Sequence, residues 1–295
     1  MPSGKRAKQQ RRQAAQRTPP PVRSKGVGGV RPRQASPRAL AIAGGVALVA
    51  VIAIVLGVVL GSGGSSGSGT VTKKDLQGLP AIGSQTNPVA LQGAGEANDL
   101  FKGIPQTGLV LGKPSAPVEM EMFIDVQCPI CQFYEVNNLP TIVQKYIRTG
   151  KVQLHLQPWA FLGGAGSQSF SGRLGLIAAA AQNKGFQYAK VLYDNQGAEE
   201  SGWLNGQMMA NIAASVTGLN LAQWQKDANS SAAKSIASDV DKLAAKGHVT
   251  GTPTVLVGRT DGNLQNVLTP QQIAANQSPT LAETEQALDA ALAHS

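Results

Sequence analysis

The chain has 295 residues and a formal net charge of +9, yet eleven of its 26 Lys and Arg fall in residues 1–38, which hold no acid. The remainder carries fifteen basic against seventeen acidic side chains and is close to neutral, so the basic character belongs to the tail; such a tail could bind nucleic acid, but it stops at the edge of an apolar segment, and no nucleic-acid partner is expected. Two cysteines in all exclude a fold stapled by several disulfides.

Residues 1–38 are rich in Arg, Gln, Pro and Ser and show no apolar period, which predicts a basic, disordered tail. Ala39 to Leu60 is an uncharged apolar run of 22 residues. As a helix it would reach roughly 33 Å, enough for a bilayer core of about 30 Å. It is long for a cleaved signal peptide, so it reads as a transmembrane signal anchor. The positive-inside rule then puts the tail in the cytoplasm and all that follows Leu60 outside, at the cell membrane in a single pass. Disulfides can persist in that compartment. Gly61 to Thr70 is a Gly/Ser tether, and 61–107 as a whole reads as a flexible linker, with the folded part expected from about Gly108 to 295.

Pro117 to Val126 predicts a strand. Cys128 opens a helix with Pro129 in its first turn, expected to be interrupted at Pro140 and to resume to about Arg148. Val152 to Trp159 alternates as a second strand. A helical block follows, about 164–247. Gly251 to Gly258 returns to strand, with Asn266 to Leu268 as its expected partner, and Thr280 to Ala293 is a terminal helix. The plan is α/β with a helical insert.

Cys128-Pro129-Ile130-Cys131 holds both cysteines, strand before and helix after, which is the layout of a dithiol/disulfide site. A thiolate is the species that exchanges with disulfides. A helix N-terminus, with unpaired N–H groups and the positive end of its dipole, lowers the pKa of Cys128 and makes it the attacking or leaving sulfur. Cys131, one turn on, is the resolving partner. Neither step needs a metal or an organic cofactor. The rival reading, half of a zinc site, needs about two further ligands. Only His155, His248 and His294 could supply them, and none has a second histidine at ligand spacing. His248 lies five residues before Pro253 and could approach the site.

Leu111 to Val118, Phe123 to Cys131, Leu139-Pro140, the strand from Gly150 to Leu162, Asp194-Asn-Gln196 with Trp203, and Gly251-Thr-Pro-Thr254 together resemble the DsbA-like branch of the thioredoxin superfamily over roughly 104–295. The resemblance implies a thioredoxin fold with an inserted helical domain. It also implies that the Thr252–Pro253 bond is cis and faces the cysteines, leaving the Thr252 backbone free to pair with a substrate strand. Oxidising relatives commonly carry a buried Glu six residues before the first cysteine. Met122 stands there instead, and Glu121, one position off, should face the other side of the strand. Asp125 reads as a local turn or cap residue rather than a proton relay. The apolar Pro129-Ile130 dipeptide lacks the His of the strongest oxidants, so a milder oxidant is expected.

The function these features imply is a membrane-tethered, extracytoplasmic thiol–disulfide oxidoreductase that forms disulfides in secreted or membrane client proteins. The resemblance adds re-oxidation by a partner such as a quinone-linked membrane protein. A reductase or isomerase of the same fold, or a redox-silent chaperone or binding module, would use the same residues.

Overall fold

The computed structural model describes residues 90–294. The basic tail 1–38, the apolar run 39–60 and the Gly/Ser tether lie outside the described residues. The elements in chain order are α1 (Ala94–Phe101), β1 (Gln106–Thr107), β2 (Val110–Leu111), β3 (Val118–Ile124), α2 (Pro129–Phe133 and its continuation), β4 (Val152–Pro158), α3 (Gln168–Ala181), α4 (Gly185–Asp194), α5 (Gly206–Ser215), α6 (Leu221–Ala228), α7 (Ser231–Lys246), β5 (Thr254–Arg259), β6 (Gln265–Asn266), α8 (Pro270–Ala274) and α9 (Leu281–Ala293). Among the described residues no helix is long and apolar enough to cross a membrane.

The six strands form one mixed sheet in the order β1-β2-β4-β3-β5-β6. β3 lies at its centre, parallel to β4 and antiparallel to β5. Because successive side chains of a strand point to opposite faces, Val118, Met120, Met122 and Ile124 share one face. They join Val152, Leu154, Val255 and Val257 in the main apolar core, together with Tyr134 and Ile142 of the α2 segment and Leu288 of α9. The other face of the same two strands carries Glu119, Glu121, Gln153, His155 and Gln157, all buried. Gln157 Nε2 donates to Glu121 Oε1 at 2.9 Å, and His155 lies 3.7 Å from Glu119 and 2.8 Å from the side-chain oxygen of Gln153. Helices α3 to α7 are the insert, between β4 and β5.

Two expectations need correction. Pro140 does not interrupt its helix. The chain widens into π-turns at Tyr134–Asn138 and Val143–Ile147 around an α-helical turn at Leu139–Ile142, so that Leu139 N–H bonds back to the Tyr134 carbonyl. Such widening accommodates a residue without an N–H in the i→i−4 ladder. The folded part also begins upstream of Gly108, inside the stretch read as linker. Ala97 and Phe101, four apart on α1, are buried, and the Phe101 ring sits 5.9 Å from that of Phe186 on α4. A two-turn helix with two buried residues is too short to show a period in sequence.

Candidate active site

The site forms where the central strand ends. Past Ile124 the backbone turns through Asp125-Val126-Gln127 and enters α2 with Cys128 as N-cap and Pro129 in the first turn. Asp125 secures the turn. One carboxylate oxygen accepts from Gln127 N–H at 2.8 Å and from Ser169 Oγ at 2.7 Å, and the other accepts from Leu162 N–H at 2.8 Å. With both oxygens engaged, it ties the end of β3 to the β4–α3 loop and to the insert, in keeping with a turn residue rather than a proton relay.

Cys128 is buried, 6 % exposed, and its sulfur accepts from Cys131 N–H at 3.4 Å, while its thiol meets the Thr252 carbonyl at 3.4 Å. The Thr252–Pro253 peptide bond is cis, and its loop faces the cysteines. Thr252 Oγ1 is buried with no other partner among the described residues, a hydroxyl available to a sulfur anion. Both cysteines are free thiols, and Cys131 is fully buried. The Cys131 thiol, the backbone N–H groups of Cys131 and Ile130 and the Thr252 side chain outweigh burial and bring Cys128 down from 9.0 to about 6. Burial first, then Cys128 itself, push the Cys131 thiol well above the usual range. The two sulfurs of one motif are thus set apart, one anionic near neutrality and one held as thiol.

The surroundings show what sequence reasoning missed. Gln127 is wholly buried. Its side-chain oxygen accepts from Glu200 N–H at 3.1 Å and Trp203 Nε1 at 3.0 Å, and its backbone carbonyl accepts from Gln196 Nε2 at 2.9 Å. The residue before the cysteine is therefore clamped to the α4–α5 loop. Gln196 and Trp203 carried part of the resemblance, but nothing in sequence pairs them with Gln127. Tyr193 OH donates to the Asp125 carbonyl at 3.0 Å. Glu135, one turn past Cys131, is buried and its carboxyl is pushed up to about 8, chiefly by burial. Met122 lies in the apolar core, and Glu121 lies on the opposite face with its carboxyl raised to about 7 by burial.

Around the sulfur the surface is apolar. Ile130, Phe133 and Phe161 are exposed by 45, 60 and 44 %. A groove of about 560 Å³ runs from Ile130 and Phe161 past Thr252 and Pro253 toward β6. Its polar lining is Thr, Asn, Gln and Ser, with His248 as the one titratable side chain among the described residues that line it. His155 sits on the buried sheet face and His294 at the end of α9, so the three histidines are not brought together. Among the described residues no group of three His, Cys, Asp or Glu is arranged to hold a metal ion.

Residues 105–289 match the Thioredoxin family. The chain is 30% identical over 174 residues to a "Probable disulfide bond formation protein D" of Bacillus cereus, covering 58% of this chain and 77% of that one. It is 30% identical over 178 residues to a protein of the same description from Bacillus anthracis, covering 58% and 76%. Among solved structures it is similar to oxidised BdbD from Bacillus subtilis, at TM-score 0.52 and 18% identity over 70% of this chain and 99% of that one. It is also similar to alpha-DsbA1 of Wolbachia pipientis, at TM-score 0.50 and 19% identity over 67% and 96%.

Proposed function

We propose, from the premise that this chain belongs to the thioredoxin family and is a thiol–disulfide oxidoreductase, that Cys128 and Cys131 are its redox pair and that it inserts disulfides into proteins outside the cytoplasmic membrane. The observation that carries the reading is the opposite tuning of the two sulfurs, Cys128 brought down to about 6 and Cys131 held up by burial.

In the oxidised enzyme a client thiolate attacks the Cys128 sulfur. The Cys128–Cys131 bond breaks and Cys131 leaves as a thiolate that takes up a proton. A second client thiol, deprotonated, then displaces Cys128 from the mixed disulfide. The client loses two electrons and two protons, and the enzyme ends as the dithiol. A sulfur that is anionic near neutrality is the better leaving group, so the second step is favoured. The donors that hold the anion also stabilise the reduced enzyme, by about 1 kcal/mol at pH 7 for a shift from 9.0 to about 6, which favours oxidation of the client. Thr252 and Pro253 flank the sulfur as the client-binding loop. Pro129 starts the helix, Ile130 offers an apolar contact and Asp125 sets the turn. An apolar dipeptide between the cysteines supports a milder oxidant than one with a donor there.

The uncharged run 39–60, flanked by the basic 1–38, supports a single-pass anchor with the catalytic domain outside and 61–89 as its tether. Return of the enzyme to the disulfide form would fall to a membrane partner such as a quinone-linked protein. Relatives described as disulfide bond formation protein D support the oxidative direction over reduction or isomerisation. The test is trapping. Cys131→Ala should accumulate mixed disulfides with exported proteins, and Cys128→Ala should not. A Cys131→Ala chain that forms none, in a cell whose exported proteins keep their disulfides when the wild type is removed, sinks the assignment.

A further inference from the structure

Cys131 is fully buried, and each turnover makes it leave as a thiolate that takes up a proton away from bulk water. Asp125 is not placed to give that proton, because Gln127, Leu162 and Ser169 occupy both of its carboxylate oxygens. Met122 is apolar, and Glu119 and Glu121 lie on the opposite face of the sheet. Glu135 lies on the helix side.

Glu135 follows Cys131 by four residues in the α2 segment. Residues four apart share one face of a helix, with Cβ atoms about 5–6 Å apart, and long side chains lean toward the N-terminus, so Glu135 reaches back toward the sulfur. The residue is buried, and its Oε1 has no hydrogen-bond partner among the described residues. An unsatisfied buried carboxyl costs stability, which calls for a use. Helix α4 closes this face. Gln132, beside Cys131, donates from Nε2 to the Tyr193 carbonyl at 2.9 Å. The Tyr193 phenol is raised first by burial and then by Cys131 and Glu135, which places it within range of both. Lys190 and Asp194 of α4 form an ion pair and face Glu135. Burial raises the Glu135 carboxyl to about 8, with Lys190 pulling it down and Asp194 pushing it up. The Asp194 side chain is 13 % exposed against 8 % for Lys190, so the cluster meets water at this pair.

Resting on Cys128 and Cys131 as the redox pair, we propose that Glu135 is the proton donor to Cys131 when the disulfide opens and its proton acceptor when the disulfide closes. As the client thiolate bonds to Cys128 Sγ, the Cys128–Cys131 bond breaks and its electron pair stays on Cys131 Sγ. The Glu135 proton moves to that sulfur. The carboxylate left behind faces the Lys190 ammonium and regains its proton from solvent past the Lys190–Asp194 pair. The client sulfur is oxidised, the enzyme disulfide is reduced and one proton enters from water. Closure runs the other way: the Glu135 carboxylate takes the Cys131 proton as that sulfur attacks Cys128 in its mixed disulfide with the re-oxidant, which leaves as a thiolate.

The experiment opens the disulfide of the oxidised full chain with dithiothreitol in a single turnover, between about pH 5 and pH 10. The readout is the rate of the wild type over that of Glu135→Gln at each pH. Ionisation of the reagent and titration of Glu119 and Glu121 are common to both chains and cancel in the ratio. The ratio is expected to be about tenfold or more below pH 7, as for a positioned general acid, and to fall toward one as the pH rises through 8. A ratio that is flat with pH, whatever its size, marks a structural role; it overturns this inference and leaves the redox pair standing. Asp194→Asn removes the charge that pushes the Glu135 carboxyl up, so its rate relative to wild type should dip just below pH 8. Should Glu135→Gln fail to fold, that dip supports the inference and its absence overturns it. A wild-type Cys128–Cys131 disulfide that dithiothreitol does not open overturns the redox pair and this inference together.

Discussion

Glu121, on the central strand β3, has its carboxyl raised from 4.5 to about 7, and burial is the main cause. The raised value means that the folded chain binds a proton more tightly than the unfolded one. The corresponding stability is present in full below 4.5 and is lost as the pH rises through 7. Between pH 5 and pH 8 the loss from this group alone is about 2.5 kcal/mol. Glu121→Gln keeps the shape of the protonated acid, offers a donor to Gln157 Oε1, which is buried and unpartnered among the described residues, and removes the charge. The variant should therefore match the wild type well below pH 4.5, exceed it by about 1 kcal/mol at pH 5 and by about 3 kcal/mol at pH 8, read as a shift in the urea midpoint at unchanged slope. Glu119, also raised to about 7 by burial and then by Glu121, adds to the gain when its neighbour is neutral. His155, held down to about 4 by burial, titrates the same way in both proteins and cancels. A variant less stable than wild type at pH 8 would show that Glu121 is ionised in the fold and would refute the argument.

Three further outcomes are expected. Cys131→Ala removes the thiol that contributes most to lowering the Cys128 pKa, and the alkylation profile of Cys128 should move up by about one pH unit, whereas Cys131→Ser, which keeps a donor, should leave it near 6. Gln127→Leu strands the Glu200 N–H and the Trp203 Nε1, with Glu200 held at φ 48°, and should cost about 2–4 kcal/mol in denaturant unfolding followed by tryptophan fluorescence. Gly93→Ala meets both a positive φ and the Asp194 carboxylate, and should lower the melting temperature without changing the rate with a free dithiol peptide.

What could be read in the sequence was local. The Cys-x-x-Cys at a strand-to-helix junction, the Thr-Pro before a strand and the order of elements each depend on a few adjacent residues, and the fold places them in one sheet and one site. What could not be read depends on residues far apart in the chain. Glu119, Glu121 and His155 look like polar positions of half-exposed strands, and only the packing of both sheet faces buries them. Gln127 gains its role from Glu200 and Trp203, more than seventy residues away. Met122 was legible as the loss of one acid, but the buried Glu135 on the helix itself gave no sign, because on sequence grounds it is an ordinary helix residue. Pro140 misled for a related reason: a helix that widens by one residue per turn can carry a proline that an α-helix would not.

All of the chemistry rests on a negative charge resident on Cys128 in the reduced protein. Ultraviolet titration of the thiolate in the reduced protein, with Cys131 intact, addresses it most directly. An inflection near pH 6 with a second far above neutrality is the expected result. A single inflection near the ordinary 9.0 for both sulfurs would contradict it.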